Sequence, residues 1–423
     1  MIQVLRGMKD ILPPESEKWG KVQRIAEEVF ASFGYSLVIT PIMEKTELFV
    51  RSVGEATDVV SKEMYTFKDK SDESVTLRPE GTASVMRAYL SSPEWKGRLL
   101  KVWYWGPMFR HERPQKGRYR QFHQFGLEAI GTDSPYVDAE IIFLLDTFYK
   151  RLGIYDIKVE ISSLGCEACR PKYQSDLMNF LAKNKTSLCD DCNNRLETNP
   201  LRVLDCKNEK CIGIISKAPS MLKYLCTDCD THNRVVLGTL DDLKIKYNVN
   251  SNLVRGLDYY SRTVFEFTTE KLGGRQNALG GGGRYDGLSA QLGEKKIPSV
   301  GYAGGIERTI MMMDENIIAD NKNRIYMAIL DDKTLKAYLP LVFELRKHYP
   351  VDTEDFKSRD VKKHLSRADK SGVRYALIAG EQELDSGEVI IKDLLHKKEH
   401  KIKINLNDVL ASVKEIKKIV VGG

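Results

Sequence analysis

The feature that most constrains this chain is the position of its cysteines. All eight cysteines of the 423-residue sequence lie between Cys166 and Cys229. They form four closely spaced pairs: Cys166 and Cys169, Cys189 and Cys192, Cys206 and Cys211, and Cys226 and Cys229. In a cytosolic chain such pairs are more typical of zinc ligands than of disulfides. The clustering also predicts that residues 166–239 form a separate, mostly helical insertion.

The spacing allows two zinc sites of four thiolates each. One grouping joins Cys189, Cys192, Cys206 and Cys211, and the other joins Cys166, Cys169, Cys226 and Cys229. Four thiolates around a zinc ion would stabilise a small insertion that lacks a large core of its own. A single site, or eight reduced thiols without metal, remains the alternative.

Composition excludes few functions. Hydrophobic residues make up 42% of the chain and charged residues 29%, as in ordinary soluble proteins. The apolar run Ile141–Leu145 is far too short to cross a bilayer, and Met1–Pro14 lacks the apolar core of a signal peptide. We therefore expect a soluble, cytoplasmic protein with no membrane partner. The formal charge of +6 permits a polyanionic partner without demanding one.

Hydrophobic periodicity predicts an initial helix and strand and a separate C-terminal domain. A 3.6-residue apolar period covers Glu15–Phe33, and Gly34 follows as a helix stop; Ser36–Ile42 has a strand pattern. From about Arg324 onward, strand-like and helical segments alternate. This alternation predicts an α/β domain over residues 325–423.

Two β-patterned stretches between Leu99 and Gly131 flank a very polar loop and predict an antiparallel hairpin. Because alternate residues of a strand share a face, one sheet face collects two sets of side chains: Val102, Tyr104, Gly106, Met108 and Arg110, and Phe122, Gln124, Gly126 and Glu128. A guanidinium, aromatic rings, an amide and a carboxylate on one face indicate a binding surface. A solvated sheet face is the alternative.

Longer strings resemble one family. Phe109-Arg110-His111-Glu112 and Gly301–Arg308 resemble motifs 2 and 3 of the class II aminoacyl-tRNA synthetases, and Thr40-Pro41-Ile42 resembles motif 1. Three further strings are similar to those of the histidyl-tRNA synthetase family: Leu77–Thr82, Leu253–Tyr260 and Gly281–Leu288. The resemblance spans nearly the whole chain.

The resemblance implies a fold and a domain order. It implies an α+β catalytic domain, with an antiparallel sheet of six or more strands, formed by residues 1–165 and 240–320. The cysteine-rich insertion 166–239 interrupts this domain, and residues 325–423 form a C-terminal α/β anticodon-binding domain. Motif 1 implies a homodimer.

The resemblance also implies an activity: ATP-dependent ligation of L-histidine to tRNA(His) through histidyl-adenylate, with Mg²⁺ on the phosphates. Arg110 and Arg255 are the catalytic residues that it implies. The residues that it implies for the histidine pocket, besides these two arginines, are Glu80, Gly81, Thr82, Gln124, Glu128, Tyr259 and Tyr260. The residues that it implies for ATP binding are Arg110, Glu112, Phe122 and Arg308. In the motif 2 loop, four residues are placed to touch the tRNA acceptor stem: Arg113, Gln115, Lys116 and Arg118.

Each assignment has a structural alternative. Arg255 and Arg308 could be ordinary ion-pair arginines, Tyr259 and Tyr260 could be core residues, and Gly280–Gly283 could be a flexible turn. For the whole chain, the alternative is a synthetase-like regulatory subunit of histidine biosynthesis that does not charge tRNA. Such subunits typically lack the C-terminal domain and several ATP contacts, whereas Arg110, Glu112, Arg255 and Arg308 are all present here.

Overall fold

The structure is a computed structural model that describes residues 2–54, 57–115, 117–206, 208–273, 277–314, 324–353 and 359–422. The chain separates into two compact units, Met1–Asp314 and Glu315–Gly423.

The first unit begins with the elements that surround the predicted hairpin: α1 (Glu15–Ser32), β1 (Ser36–Leu37), β2 (Met43–Lys45), α2 (Thr46–Val53), a π-helix (Val59–Glu63), β3 (Tyr65–Lys68), β4 (Ser74–Leu77), α3 (Thr82–Ser91), β5 (Leu100–Phe109), β6 (Gln121–Ile130), α4 (Pro135–Arg151) and β7 (Lys158–Ser163). Helix α1 ends one residue before the predicted limit, and Gly34 follows it with a φ of +81°. The predicted strand Ser36–Ile42 was too long. Pro41 has no N–H to donate, and the carbonyl oxygen of Ile42 accepts from the backbone of Arg78 instead of a β1 neighbour.

The cysteine-rich insertion is helical: α5 (Arg170–Lys183), α6 (Asp190–Thr198), α7 (Glu209–Ile215) and α8 (Thr227–Asp242), with 3₁₀ turns at Lys185–Ser187, Pro200–Asp205 and Met221–Tyr224. Its small core combines buried cysteines with buried apolar side chains, among them Tyr173, Leu177, Leu181 and Val203.

After the insertion the chain returns to the sheet: β8 (Tyr247–Val249), β9 (Ser261–Thr268), a 3₁₀ turn (Glu270–Leu272), β10 (Ala278–Arg284), α9 (Leu288–Gln291), β11 (Ser299–Gly305) and α10 (Ile306–Met312). The eight strands of the sheet run in the order β1-β5-β6-β11-β10-β9-β7-β8. The six from β5 to β7 pair antiparallel, and β1 and β8 pair parallel at the two edges. The sheet predicted for the catalytic domain is confirmed.

The interpretation of Gly280–Gly283 as a flexible turn is wrong, because these glycines lie within β10 at the centre of the sheet. A Cβ on Gly282 would lie 2.2 Å from the carbonyl oxygen of Gly301 on the neighbouring strand. Glycine is therefore required here for close packing rather than for mobility.

The second unit contains β12 (Ile325–Ile329), α11 (Asp332–Arg346), β13 (Val351–Asp352), α12 (Val361–Lys370), β14 (Tyr375–Ala379), α13 (Glu381–Ser386), β15 (Glu388–Asp393), β16 (Lys398–Lys403) and α14 (Val409–Gly422). Its five strands run in the order β13-β12-β14-β15-β16, with parallel pairing among the first three and antiparallel pairing in the last three. Its buried core is apolar, as in an independent α/β domain.

Candidate active site

The hairpin β5–β6 forms the floor of the candidate site. Its register pairs Val102 with Glu128, Tyr104 with Gly126 and Gly106 with Gln124, so the polar side chains of β6 share a face, as the alternation predicted. The Tyr104 ring lies against Gly126, which has no side chain there. A Cβ on Gly126 would come within 2.2 Å of the Tyr104 ring.

Two buried carboxyl groups lie at one end of this floor. Glu80 accepts hydrogen bonds from the backbone N–H groups of Thr82 (2.8 Å) and Ala83 (2.9 Å), at the start of α3. Glu128 accepts from the Thr82 hydroxyl at 2.7 Å and from the Tyr285 hydroxyl. Burial raises the pKa of Glu128 to about 8 and also raises that of Glu80. Two desolvated carboxyl groups in one pocket favour a cationic ligand.

Aromatic rings and unpaired polar atoms complete this pocket. The Tyr259 and Tyr260 rings are buried with their centroids 4.7 Å apart, and the Tyr259 and Tyr285 centroids are 5.8 Å apart. Among the described residues, the buried Gln124 Oε1 and Tyr104 hydroxyl have no hydrogen-bond partner. Buried polar atoms without partners are costly, so a ligand with matching donors and acceptors would be selected here.

Arg255 lies next to this pocket over the central strands. It forms an ion pair with Glu266 on β9, and its guanidinium lies 5.9 Å from the Tyr260 ring centroid. It lies so close to β10 that a Cβ on Gly281 would be 2.4 Å from its Cζ. Arg255 is therefore one partner of an ion pair, as the structural alternative held, but the pair lies on the face of the candidate site.

The motif 2 residues lie at the loop end of the hairpin, where Arg110 also adjoins Glu80 of the pocket. Arg110 donates through Nε to the carbonyl oxygen of Pro79 at 2.9 Å, and its Cζ lies 5.3 Å from the Phe122 ring centroid. Glu112 is buried, lies 4.0 Å from Arg110 and forms an ion pair with Arg118. The cation, ring and carboxylate that ATP binding requires are thus adjacent.

Arg308 joins motif 3 to this end of the site. It donates to the carbonyl oxygens of Ala278 (2.8 Å) and Gly117 (3.3 Å), which tie α10 to β10 and to the motif 2 loop. In that loop the Arg113 and Gln115 side chains are exposed, and Lys116 lies outside the described residues.

Several site residues were absent from the sequence prediction. Glu307 accepts from the backbone N–H of His123 at 3.0 Å and lies 2.9 Å from its Nδ1, which joins motif 3 to β6. The Tyr285 hydroxyl donates to Glu128. Glu266 accepts from Arg255. Tyr285 lies within the string Gly281–Leu288, which was the available signal for it. No sequence signal paired Glu266 with Arg255.

The pKa of Glu128 leads to a prediction about stability. Below about pH 4 this carboxyl is protonated in both the folded and the unfolded chain. Between about pH 4 and 8 the unfolded carboxyl ionises while the buried one stays protonated, so the wild-type fold loses stability as the pH rises. We therefore expect the Tm of Glu128→Gln, minus that of the wild type, to increase from pH 5 to pH 8 and then level off. Thermal unfolding at each pH measures this, with the exposed Glu94→Gln as control. A difference that stays constant from pH 5 to 8 would contradict the assignment.

The eight cysteines form two clusters of four, with the same membership that the spacing suggested: Cys166, Cys169, Cys226 and Cys229, and Cys189, Cys192, Cys206 and Cys211. Within each cluster all sulfur atoms lie within 4.8 Å of one another. The Cys166 Sγ lies 3.6 Å from that of Cys169 and 3.8 Å from that of Cys226, too far for a disulfide. A tetrahedral zinc site with Zn–S bonds of about 2.3 Å has sulfur–sulfur edges of about 3.8 Å. The geometry fits zinc.

The antiparallel sheet, the motif 2 hairpin and the arginine of motif 3 define the fold and site of a class II aminoacyl-tRNA synthetase. The family model described as "Histidyl-tRNA synthetase" matches residues 7–309, and "Anticodon binding domain" matches residues 325–416. The chain belongs to the histidyl-tRNA synthetase family.

Individual relatives agree with this membership. The chain is 45% identical over 397 residues to the histidine–tRNA ligase of Halothermothrix orenii, covering 93% of this chain and 94% of the relative. It is 43% identical to that of Desulfosudis oleivorans, covering 95% and 96%. The crystal structure of apo S. aureus histidyl-tRNA synthetase superposes with a TM-score of 0.76 at 33% identity, covering 98% of this chain and 100% of that one.

In the part of the chain that the structure describes, no helix combines the length and the hydropathy that crossing a bilayer would need.

Proposed function

We propose that this protein joins L-histidine to tRNA(His) in two ATP-dependent steps. The histidine carboxylate attacks the α-phosphate of ATP and displaces pyrophosphate, and the terminal ribose hydroxyl of the tRNA then takes the histidyl group from the adenylate and releases AMP. The observation that carries this proposal is the placement of the buried Glu80–Glu128 pocket on the same sheet face as Arg255 and Arg110.

The pocket suits histidine as the amino acid. Its α-ammonium and imidazole supply cationic and N–H donor groups to the buried carboxyls of Glu80 and Glu128. The unpaired Gln124 Oε1 and Tyr104 hydroxyl offer further polar contacts, and Tyr259 and Tyr260 enclose the ring. Because Gly81 has no side chain, the Tyr104 ring can pack against it. A Cβ on Gly81 would lie 2.3 Å from that ring. An amino acid without an imidazole would leave these groups unpaired, which is the basis of selection.

The arginines suit the activation chemistry. Arg110 would contact the α-phosphate and Arg255 the reacting carboxylate and α-phosphate, so both stabilise the negative charge that develops during attack. Phe122 and Arg308 would lie on opposite faces of the adenine, and Glu112 would accept from its amine. ATP enters with Mg²⁺, which neutralises phosphate charge. Positioning and electrostatics supply the rate, and no enzyme nucleophile is needed.

Acceptor-stem recognition falls to the motif 2 loop. The Arg113 and Gln115 side chains are exposed, and Arg118 pairs with Glu112. Because Glu112 would serve the adenine, ATP binding would release Arg118 toward the tRNA. The second unit would bind the anticodon. Charging of purified tRNA(His) with radiolabelled histidine tests this step, and adenylate formation without any charging would refute it.

The insertion would hold two structural zinc ions, one in each cysteine cluster. The sulfur geometry supports this, and so do the backbone N–H groups that donate to the sulfurs. Cys226 donates to the Cys169 Sγ at 3.1 Å, and Cys189 donates to the Cys211 Sγ at 3.3 Å. Such donors stabilise thiolates that ligate a metal.

We expect a homodimer that forms through motif 1. Ile42 belongs to that motif, and Leu37, Ile39 and Met43 lie close to it in sequence. All four side chains are exposed, Ile39 to 84%. An exposed apolar cluster of this kind is typical of a protein interface. In sedimentation equilibrium at micromolar concentration, wild type should be dimeric and Ile39→Lys should shift toward monomer. Leu395→Lys, at an exposed leucine of the other unit, is the control. If Ile39→Lys remained as dimeric as the wild type, the interface would lie elsewhere.

A further inference from the structure

The cysteine-rich insertion contacts the segment 253–260, which carries Arg255, Tyr259 and Tyr260. A cavity of about 250 Å³ lies between the two, lined by Arg170, Asn199 and Arg202 of the insertion and by Asp258 and Tyr260 of the segment. Val254 of the segment also packs against the apolar core of the insertion. The segment therefore packs against the insertion.

Three polar side chains of the insertion bond to this segment across the cavity. Arg202 Nη1 donates to the carbonyl oxygen of Arg255 at 3.2 Å, and Asn199 Nδ2 donates to Asp258 Oδ1 at 2.9 Å. Arg170 donates to the carbonyl oxygen of Tyr260. Two of the three bonds thus end on the backbone of residues whose side chains form the candidate site.

Each of these contacts originates next to a cysteine cluster. Arg170 directly follows Cys169, a member of the first cluster. Asn199 directly precedes the 3₁₀ turn Pro200–Asp205, and Arg202 lies within it. The turn leads directly into Cys206 of the second cluster. Within that turn, Val203 and Leu204 are buried in the insertion core beside the cysteines. The two clusters therefore fix the backbone from which the three contacts extend.

We infer that Asn199, Arg170 and Arg202 are positioning residues for histidine activation. Through them, the metal-bound insertion sets the position of Arg255 and Tyr260. This inference rests on the proposed function and adds a role for the insertion within the reaction. Because Arg255 acts by where its charge lies, a displacement of its backbone by about 1 Å is enough to slow the reaction.

Arg202→Ala in the full-length protein tests the inference. We expect kcat/KM for histidine in ATP–pyrophosphate exchange to fall about 10- to 100-fold, the usual range for residues that orient a reacting group. The KM for ATP should stay within about twofold of the wild-type value, because the proposed adenine contacts lie at the loop end of the hairpin. Arg202→Lys, which keeps a donor, should recover part of the activity. Arg234→Ala, at an exposed arginine on α8 that pairs with Asp230, should match the wild type.

Hydrogen exchange gives a second readout that does not depend on activity. Deuterium uptake of the peptide covering 253–260 should rise in Arg202→Ala, and it should rise in wild-type protein stripped of metal by a chelator. Uptake in the β5–β6 hairpin should stay unchanged in the variant.

Two results would overturn the inference: wild-type kinetics in Arg202→Ala, or unchanged uptake over 253–260 after both treatments. These differ from a failure of the proposed function, in which wild-type protein itself shows no histidine-dependent exchange.

Discussion

Replacing Arg255 with Ala is expected to lower the rate of histidine-dependent ATP–pyrophosphate exchange by roughly 100- to 1,000-fold, the usual cost of removing one preorganised charge-stabilising group. The guanidinium lies on the sheet face beside Tyr260 of the buried pocket, where negative charge would develop during attack. Its place is fixed by Glu266 and by the absence of a side chain at Gly281. Initial rates with saturating ATP and histidine measure the effect.

Controls separate this loss from unfolding. Arg151→Ala removes an exposed arginine that pairs with Glu28 and should retain wild-type exchange. Glu266→Gln removes the charge of the ion-pair partner while leaving Arg255 in place, so it should cost less than Arg255→Ala. The two arginine variants should have similar circular dichroism. Near-wild-type exchange by folded Arg255→Ala would show that the catalytic assignment is wrong.

The double variant Cys192→Ser, Cys229→Ser is expected to lose both zinc ions and to unfold the insertion. These are buried members of the two different clusters. Structural zinc supplies on the order of 10 kcal/mol of folding free energy per site, as much as the total stability of many domains. Elemental analysis should give two zinc ions per wild-type chain and none in the variant. Limited proteolysis should then cut within the insertion, residues 166–239, of the variant.

Met178→Ser provides the control, since it places a serine on an exposed position of α5 without touching either cluster. It should keep both metal ions and resist proteolysis like the wild type. Wild-type protein purified without chelators that contained no metal would refute the zinc proposal. A variant without metal that resisted proteolysis would show that the apolar core alone stabilises the insertion.

Patterns local in sequence predicted much of the fold. The face shared by Gln124 and Glu128 followed from the two-residue period of a strand, which any strand must obey. The alternation of strand-like and helical segments after Arg324 followed from periodicity within the segments themselves. The strand predicted for Ser36–Ile42 forms only over Ser36–Leu37. Beyond it, the side chain and backbone of Arg78, which is distant in sequence, donate to the carbonyl oxygens of Thr40 and Ile42.

The details of the site depended on contacts between distant segments. The pairing of Glu307 with His123 joins residues 184 positions apart, and no periodicity or spacing encodes such a pair. The same holds for the contact of Arg202 with Arg255, which links an insertion to a segment outside it. For Gly280–Gly283 the local pattern was misleading. A glycine run taken alone indicates a flexible turn, but in the folded sheet these glycines lie in a crowded strand.

The most direct test of the proposed function is ATP–pyrophosphate exchange by the purified wild-type protein with each of the twenty amino acids in turn. Exchange with histidine, and background rates with the other nineteen, is the predicted result, because the imidazole side chain would satisfy the buried polar groups of the proposed pocket. Absence of exchange with histidine, from protein shown to be folded, would contradict the proposal and favour a non-charging regulatory protein of the same fold.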